Sequence, residues 1–87
     1  MSWTLILSKQ SLKDAKNLQG AKLWKNALKI LNVLRENPFR NPPPYEKLTG
    51  DLEGIYSRRI NIQHRLIYQI NKEEKVIRIL RMWTHYE

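Results

Sequence analysis

The chain has 87 residues, 41% apolar and 28% charged, enough for one small hydrophobic core and too few for two domains, so residues 1–87 are expected to form one domain. Sixteen Lys and Arg against eight Asp and Glu leave a net charge of +8, which points to an anionic partner. Cysteine is absent, which excludes a disulfide framework and a thiolate nucleophile and fits a cytoplasmic address, while the longest apolar run, residues 3–7, is too short for a membrane span and lacks the marks of an export signal.

Trp3-Thr4-Leu5-Ile6-Leu7, followed at once by Ser8, reads as a buried strand that ends at a helix cap. From Lys9 to about Gln19, Leu12, Ala15 and Leu18 recur at the helical interval of three, with Lys9, Lys13, Asp14 and Lys16 as the solvated remainder. That spacing predicts a thin helix, stopped by Gly20. Residues 21–36 carry Trp24, Ala27, Leu28, Leu31 and Leu34 at spacings of three and four, with Leu23 and Ile30 widening the stripe, and predict a second, stronger helix. Asn37-Pro38 closes it, because Asn tolerates a left-handed cap and proline cannot continue the hydrogen-bond ladder.

All four prolines fall between Pro38 and Pro44, a stretch that cannot be regular and is expected to be a stiff connector leading straight into Glu46. Three strand-like runs follow: Ile55 to Ile60, His64 to Ile70, and Val76 to about Trp83, joined by short polar turns. Alternation puts Leu66, Tyr68 and Ile70 on one face of the middle run, and Ile77, Ile79, Arg81, Trp83 and His85 on one face of the last. The predicted fold is α+β, in the order β-α-α-β-β-β, with two helices on one face of a mainly antiparallel four-stranded sheet.

Residues 1–44 hold eight basic and two acidic side chains, and residues 45–87 hold eight and six. Most excess charge therefore lies on the helices, where Lys9, Lys13, Lys16, Lys22, Lys25 and Lys29 are expected to face outward. A solvated surface explains lysines so placed; it does not explain the missing acids.

The sequence has no glycine-rich phosphate loop, no Gly-x-Ser-x-Gly, no His-Glu-x-x-His and no carboxylate cluster for paired metals. What it does have is Glu46, Ser57, Arg58, Arg59, His64, Arg65, Arg81, His85 and Tyr86, groups suited to cutting RNA. RNA carries its own nucleophile in the 2′-hydroxyl, so cleavage needs a base, an acid for the leaving 5′-oxygen, and cations for the phosphorane charge. No metal or other cofactor is required by that scheme. Bland roles compete: Glu46 as a surface acid, His64 as a structural hydrogen-bonding residue, Tyr56, Tyr68, Trp24 and Trp83 as packing, and His85-Tyr86 as a frayed end. Arg58 and Arg59 must point to opposite faces of a strand, so at most one can reach a site that the sheet supports.

Taken together, Asn37-Pro38-Phe39, Glu46-Lys47-Leu48, Gly54, Tyr56-Ser57-Arg58-Arg59-Ile60, His64-Arg65-Leu66-Ile67-Tyr68 and His85-Tyr86 resemble the YoeB/Txe toxins of type II toxin-antitoxin systems, within the RelE superfamily. The resemblance covers about the last fifty residues. It implies a RelE-like fold and a ribosome-dependent mRNA endoribonuclease of the bacterial cytoplasm, cutting in the A site and neutralised by an acidic YefM/Axe-like antitoxin. It also implies operator DNA contact only through the antitoxin complex, and a homodimer as a further state. Carried over by position, Glu46 is the expected general base, His85 the general acid, Arg65 the phosphate-stabilising cation and Tyr86 a positioning group. Arg59, Lys47 and Arg81 are the expected RNA or phosphate contacts. Thr49 stands where the family often has a lysine, and Glu87 places an extra carboxylate beside His85-Tyr86. Two other readings remain open: a non-catalytic ParE-like gyrase poison of the same fold, and a plain basic RNA-binding module.

Overall fold

The structure, a computed structural model, describes residues 3–48 and 54–85, with Thr84 and His85 described by their backbone alone. Expectations that rest on Thr49, Tyr86 or Glu87 lie outside the described residues. Strand β1 (Thr4–Leu7) runs through Ser8 into helix α1 (Lys9–Gly20), and α2 (Trp24–Glu36) follows. Ser8 caps α1 as the sequence predicts: its Oγ accepts the Ser11 N–H at 3.0 Å, filling one of the vacancies that every helix start leaves.

The inner face of α1 is not the expected one. Ser11, Asp14, Ala15 and Leu18 are buried, whereas Leu12 is 54% exposed. Two polar residues displace a leucine because the fold satisfies them: Ser11 Oγ donates to the Ser8 carbonyl at 2.8 Å, and Asp14 finds partners on the sheet. In α2 the same shift puts Ile30 in the core beside Ala27, Leu31 and Leu34 and leaves Leu28 exposed.

The turn between the helices also differs. Gly20 is the last helical residue, and the left-handed conformation falls on Lys22, at φ 62°. The Leu23 N–H bonds to the Leu18 carbonyl at 2.8 Å and the Lys22 N–H to that of Gln19 at 3.2 Å, the paired closure of a Schellman motif. Helix α2 therefore begins at Trp24 and not at residue 21. Asn37 ends it in an extended conformation, not a left-handed one, and its Oδ1 accepts the Phe39 N–H at 3.0 Å.

Strands β2 (Glu46–Lys47), β3 (Ile55–Arg59), β4 (His64–Asn71) and β5 (Val76–His85) complete a five-stranded sheet in the order β1-β5-β4-β3-β2. The predicted four strands miss β2, a two-residue pairing too short to show a period. All ladders are antiparallel except β1 with β5, which is parallel. Gly54 enters β3 at φ +71°, where an added Cβ would sit 2.6 Å from the Ile70 carbonyl oxygen, so the position demands glycine. Leu66, Tyr68 and Ile70, with Ile77, Ile79 and Met82, meet the inner faces of both helices in one buried cluster. The other face of the sheet, through Arg65, Ile67 and Gln69, is half exposed.

Strand β5 does not keep the simple alternation. Register shifts opposite β4 fall between Arg65 and Ile67 and between Ile67 and Tyr68, so Arg81 pairs with Ile67 while Met82 takes a core position at 0% exposure. The expected common side of Ile79 and Arg81 is lost because bulges add residues to one strand. Helix α1 supplies what the bulged backbone lacks. Ser8 Oγ donates to the Leu80 carbonyl at 3.0 Å, and Asp14 Oδ2 accepts the Met82 N–H at 2.9 Å.

Candidate active site

Register across the open face brings the candidate residues together. Glu46 pairs with Ser57, Ser57 with Ile67, Arg59 with Arg65, and Arg65 with Thr84. Directly opposed residues share a face, so Glu46, Ser57, Arg59 and Arg65 rise from three adjacent strands on the side away from the helices. The Arg65 guanidinium donates to Glu46 Oε2 at 3.2 Å and to the buried Ser57 Oγ at 3.3 Å. Arg65 is 13% exposed and Glu46 67%. The cation is thus held in the sheet while the carboxylate stands in solvent, and an ion pair this open is weak enough for an incoming anion to displace.

Glu46 reaches this place through the proline segment, and Arg58 holds that segment down. Arg58 is 1% exposed and points, as strand alternation requires, to the face opposite Arg59. Its Nη2 donates to the carbonyls of Pro38 and Arg40, each at 2.9 Å, its Nη1 to that of Pro43, and its Nε to the Tyr68 hydroxyl at 3.1 Å. The guanidinium also lies 4.8 Å from the Tyr45 ring centroid. A buried cation is tolerable only when its donors are satisfied, and here backbone carbonyls of the loop before Glu46 satisfy most of them. Burial pushes the Tyr68 phenol above its ordinary pKa, with the Arg58 charge and hydrogen bond opposing. Edge-to-face contacts from Trp3 through Phe39 to Tyr56, and from Tyr45 to Tyr56, pack the same loop.

The remaining predicted residues separate. Arg59 is exposed opposite Arg65, and Lys47 is exposed opposite Tyr56. Arg81 is turned to other work: its Nε donates to Asp14 Oδ2 at 3.0 Å and its Nη2 to the Trp83 carbonyl at 3.1 Å. Burial raises the Asp14 pKa, but hydrogen bonds from the Met82 N–H, Gln10, Arg81 and the Trp83 N–H outweigh it and hold the carboxyl below its ordinary value. His64 is buried at 3% and stacks on Trp83 with ring centroids 3.9 Å apart, a structural place in which ring packing stands where a hydrogen-bonding role was expected. His85 ends β5, opposite His64 and one residue beyond the partner of Arg65. Its side chain and all of Tyr86 lie outside what is described.

Sequence reasoning missed two contributors. Ser57 stands among the polar candidates in the sequence, yet only the pairing of β2 with β3 sets it beside Glu46 and beneath Arg65. Asp14 looked like part of a solvated face, and nothing short of the bulge in β5 reveals its partners. All six lysines from Lys9 to Lys29 are exposed as predicted, five on the helices and Lys22 in the turn between them. No helix among the described residues is long and apolar enough to cross a membrane.

The family described as YoeB-like toxin of bacterial type II toxin-antitoxin system matches residues 7–86. Toxin YoeB of Escherichia coli O6:H1 is 32% identical over 84 residues, covering 94% of this chain and 98% of that protein. The YoeB dimer from Staphylococcus aureus superposes with a TM-score of 0.81 at 31% identity, over 99% of this chain and 100% of that one. The YoeB-YefM complex from the same organism gives a TM-score of 0.76 at 31% identity, with the same coverage of both chains.

Proposed function

Because this chain belongs to the family of YoeB-like toxins of bacterial type II toxin-antitoxin systems, we propose that it is a ribosome-dependent endoribonuclease that cuts mRNA in the A site and so arrests translation. The observation that carries this reading is the placement of Glu46 Oε2 3.2 Å from the Arg65 guanidinium on the open face of the sheet. A base and a phosphate-binding cation stand side by side there, with arginine's planar fork suited to two phosphate oxygens at once.

In the proposed reaction Glu46 takes the proton of a 2′-hydroxyl, and the oxygen so freed attacks the adjacent phosphorus. Arg65 stabilises the charge on the equatorial oxygens, and His85 gives a proton to the departing 5′-oxygen. The P–O5′ bond breaks, leaving a 2′,3′-cyclic phosphate on one fragment and a 5′-hydroxyl on the other. Tyr86 positions the phosphate, and Arg59 and Lys47 grip the flanking backbone. Arg81 enters chiefly as a holder of the β5 end, since Asp14 and the Trp83 carbonyl already engage its Nε and Nη2. Three strand spacings, about 14 Å, separate the backbones of β2 and β5, and Arg65 stands on β4 between those strands.

The partner proposed for the free toxin is an acidic antitoxin, in keeping with the YoeB-YefM complex of the Staphylococcus relative and with the net charge of +8, which favours association with an acidic chain. Operator DNA would be reached through that complex. A homodimer is proposed by likeness to the Staphylococcus YoeB dimer. The exposed helix lysines are suited to the phosphates of ribosomal RNA, positioning the enzyme without reading sequence.

Primer extension on an mRNA translated in a purified system tests the reading, with wild type, Glu46→Gln and His85→Ala, each with and without ribosomes. Codon-phased 5′-hydroxyl ends that require ribosomes and disappear in both variants are expected. Arrest without new RNA ends, or variants that cut as well as wild type, would make a binding toxin the better account.

A further inference from the structure

Strand β2 is two residues long and lies at the edge of the sheet, so its ladder to β3 holds Glu46 from one side alone. The Glu46 carboxylate is 67% exposed and meets Arg65 at 3.2 Å. A side chain so open goes where its backbone carries it. The groups that fix that backbone lie on the other face of the sheet. Tyr45, the residue before Glu46, is half-buried, with its ring against the Arg58 guanidinium.

Four contacts close a ring beneath the site. The Tyr45 ring meets Tyr56 edge-on at 5.7 Å, Tyr56 stacks on Tyr68 at 5.9 Å, the Tyr68 hydroxyl accepts from Arg58 Nε at 3.1 Å, and Arg58 returns to Tyr45 at 4.8 Å. Tyr56 and Tyr68 are partners across the ladder of β3 and β4, and Tyr68 belongs to the buried core. The ring is therefore anchored in the two strands that carry Ser57 and Arg65 on their opposite face. Arg58 extends that anchor to the carbonyls of Pro38, Arg40 and Pro43, three points along the path into Tyr45.

Burying a guanidinium costs desolvation free energy that an apolar side chain of similar size avoids. An apolar side chain cannot fasten three separated carbonyls in fixed directions, and the planar fork can. Direction is what a general base requires, since a misplacement of about 1 Å lowers a rate by about a hundredfold.

We propose that Arg58 and Tyr45 are positioning residues for Glu46, setting where its carboxylate stands relative to Arg65 and to the 2′-hydroxyl that it deprotonates. The proposal rests on the nuclease reading and adds to it the support of its base. Arg58, at 1% exposure, is out of reach of RNA and acts through Tyr45 and the loop carbonyls.

Single-turnover cutting in the purified translation system, followed across toxin concentration, separates the rate of the bound complex from half-saturation. Wild type is compared with Arg58→Lys, Tyr45→Leu, Tyr45→Phe and Ile30→Val, the last a core truncation on α2 that lowers stability by another route. Thermal melts set a temperature at which the compared proteins are folded. Arg58→Lys and Tyr45→Leu should each slow bound-complex cutting about tenfold, with half-saturation within about twofold of wild type. Tyr45→Phe, which keeps the ring beside the guanidinium, should restore the rate, and Ile30→Val should not change it. Glu46→Asp keeps the carboxylate but draws it back by one methylene, so adding Tyr45→Leu there should cost less than about threefold. Folded Arg58→Lys and Tyr45→Leu that cut at the wild-type rate overturn the proposal, as does a raised half-saturation with an unchanged rate, or an equal loss in Ile30→Val. If Arg58→Lys does not fold, Tyr45→Leu and Tyr45→Phe decide alone. Should wild type make no ribosome-dependent cut, the nuclease reading itself falls and takes the positioning role with it. Cutting indifferent to Arg58 and Tyr45 removes the role and leaves that reading standing.

Discussion

The Asp14 carboxylate on α1 accepts the Met82 backbone N–H at 2.9 Å, across 68 residues of chain. A bulge frees that N–H from the ladder, and the helix returns it a partner, with Arg81 bound to the same oxygen at 3.0 Å. This contact lies three residues before His85, so α1 fixes the course of the strand that carries the proposed acid.

Asp14 should therefore govern acid stability. Its folded pKa is depressed, so its contribution is fully present above the ordinary carboxylate pKa of about 3.9 and is lost as pH falls through the lower folded value. Asp14→Asn is expected to cost about 2 kcal/mol at pH 7, and the difference from wild type should shrink toward pH 3. Urea midpoints measured across that range check it; a constant difference would mean the charge is irrelevant.

Ser57→Ala removes the buried acceptor beneath Arg65 while leaving the sheet intact. Single-turnover cutting should fall about tenfold with little change in substrate affinity, and stability should change by about 1 kcal/mol or less. A variant that cuts at the wild-type rate would show that Arg65 needs only Glu46 to be held.

Arg58→Met should destabilise the fold by about 3 kcal/mol, because three loop carbonyls and the Tyr68 hydroxyl lose the three guanidinium nitrogens that donate to them. Arg58→Lys supplies charge without the fork and should recover only part of that loss. Tyr68→Phe, which removes a single acceptor, should cost about 1 kcal/mol. Denaturant titration of the three variants gives the order directly.

Exchanging residue types in the α1–α2 turn should stabilise the protein. Gly20 is helical with open space where a Cβ would stand, and Lys22 occupies the left-handed region. Gly20→Ala and Lys22→Gly are each expected to add about 0.5–1 kcal/mol, the first by lowering unfolded-chain entropy and the second by relieving the Cβ clash. Thermal melts of the single and double variants would reveal whether the gains add.

Local pattern made much of this architecture legible. The aliphatic runs at β1, β3, β4 and β5, the stripe of α2 and the Ser8 cap all follow from short-range chemistry, and they appear nearly where the sequence places them. What escaped depends on distant chain. Asp14 and Ser11 read as surface because their partners arrive through the fold; Leu12 and Leu28 read as core because a leucine at the right interval carries no mark of exposure. Strand β2 exists only by pairing with β3. In the site, Glu46 and Arg65 were legible as residue types, but the serine between them required the register.

The parallel pairing of β1 with β5, sealed by the Ser8 to Leu80 bond across 72 residues, bears on how the toxin comes into being. Synthesis at ~5–20 residues per second leaves α1 exposing its buried stripe for several seconds before β5 exists to cover it. Contacts this far apart in sequence form late and slowly. Throughout that interval the nascent chain has neither its bulge nor the strand bearing His85, so the proposed site assembles only after the last strand has left the ribosome.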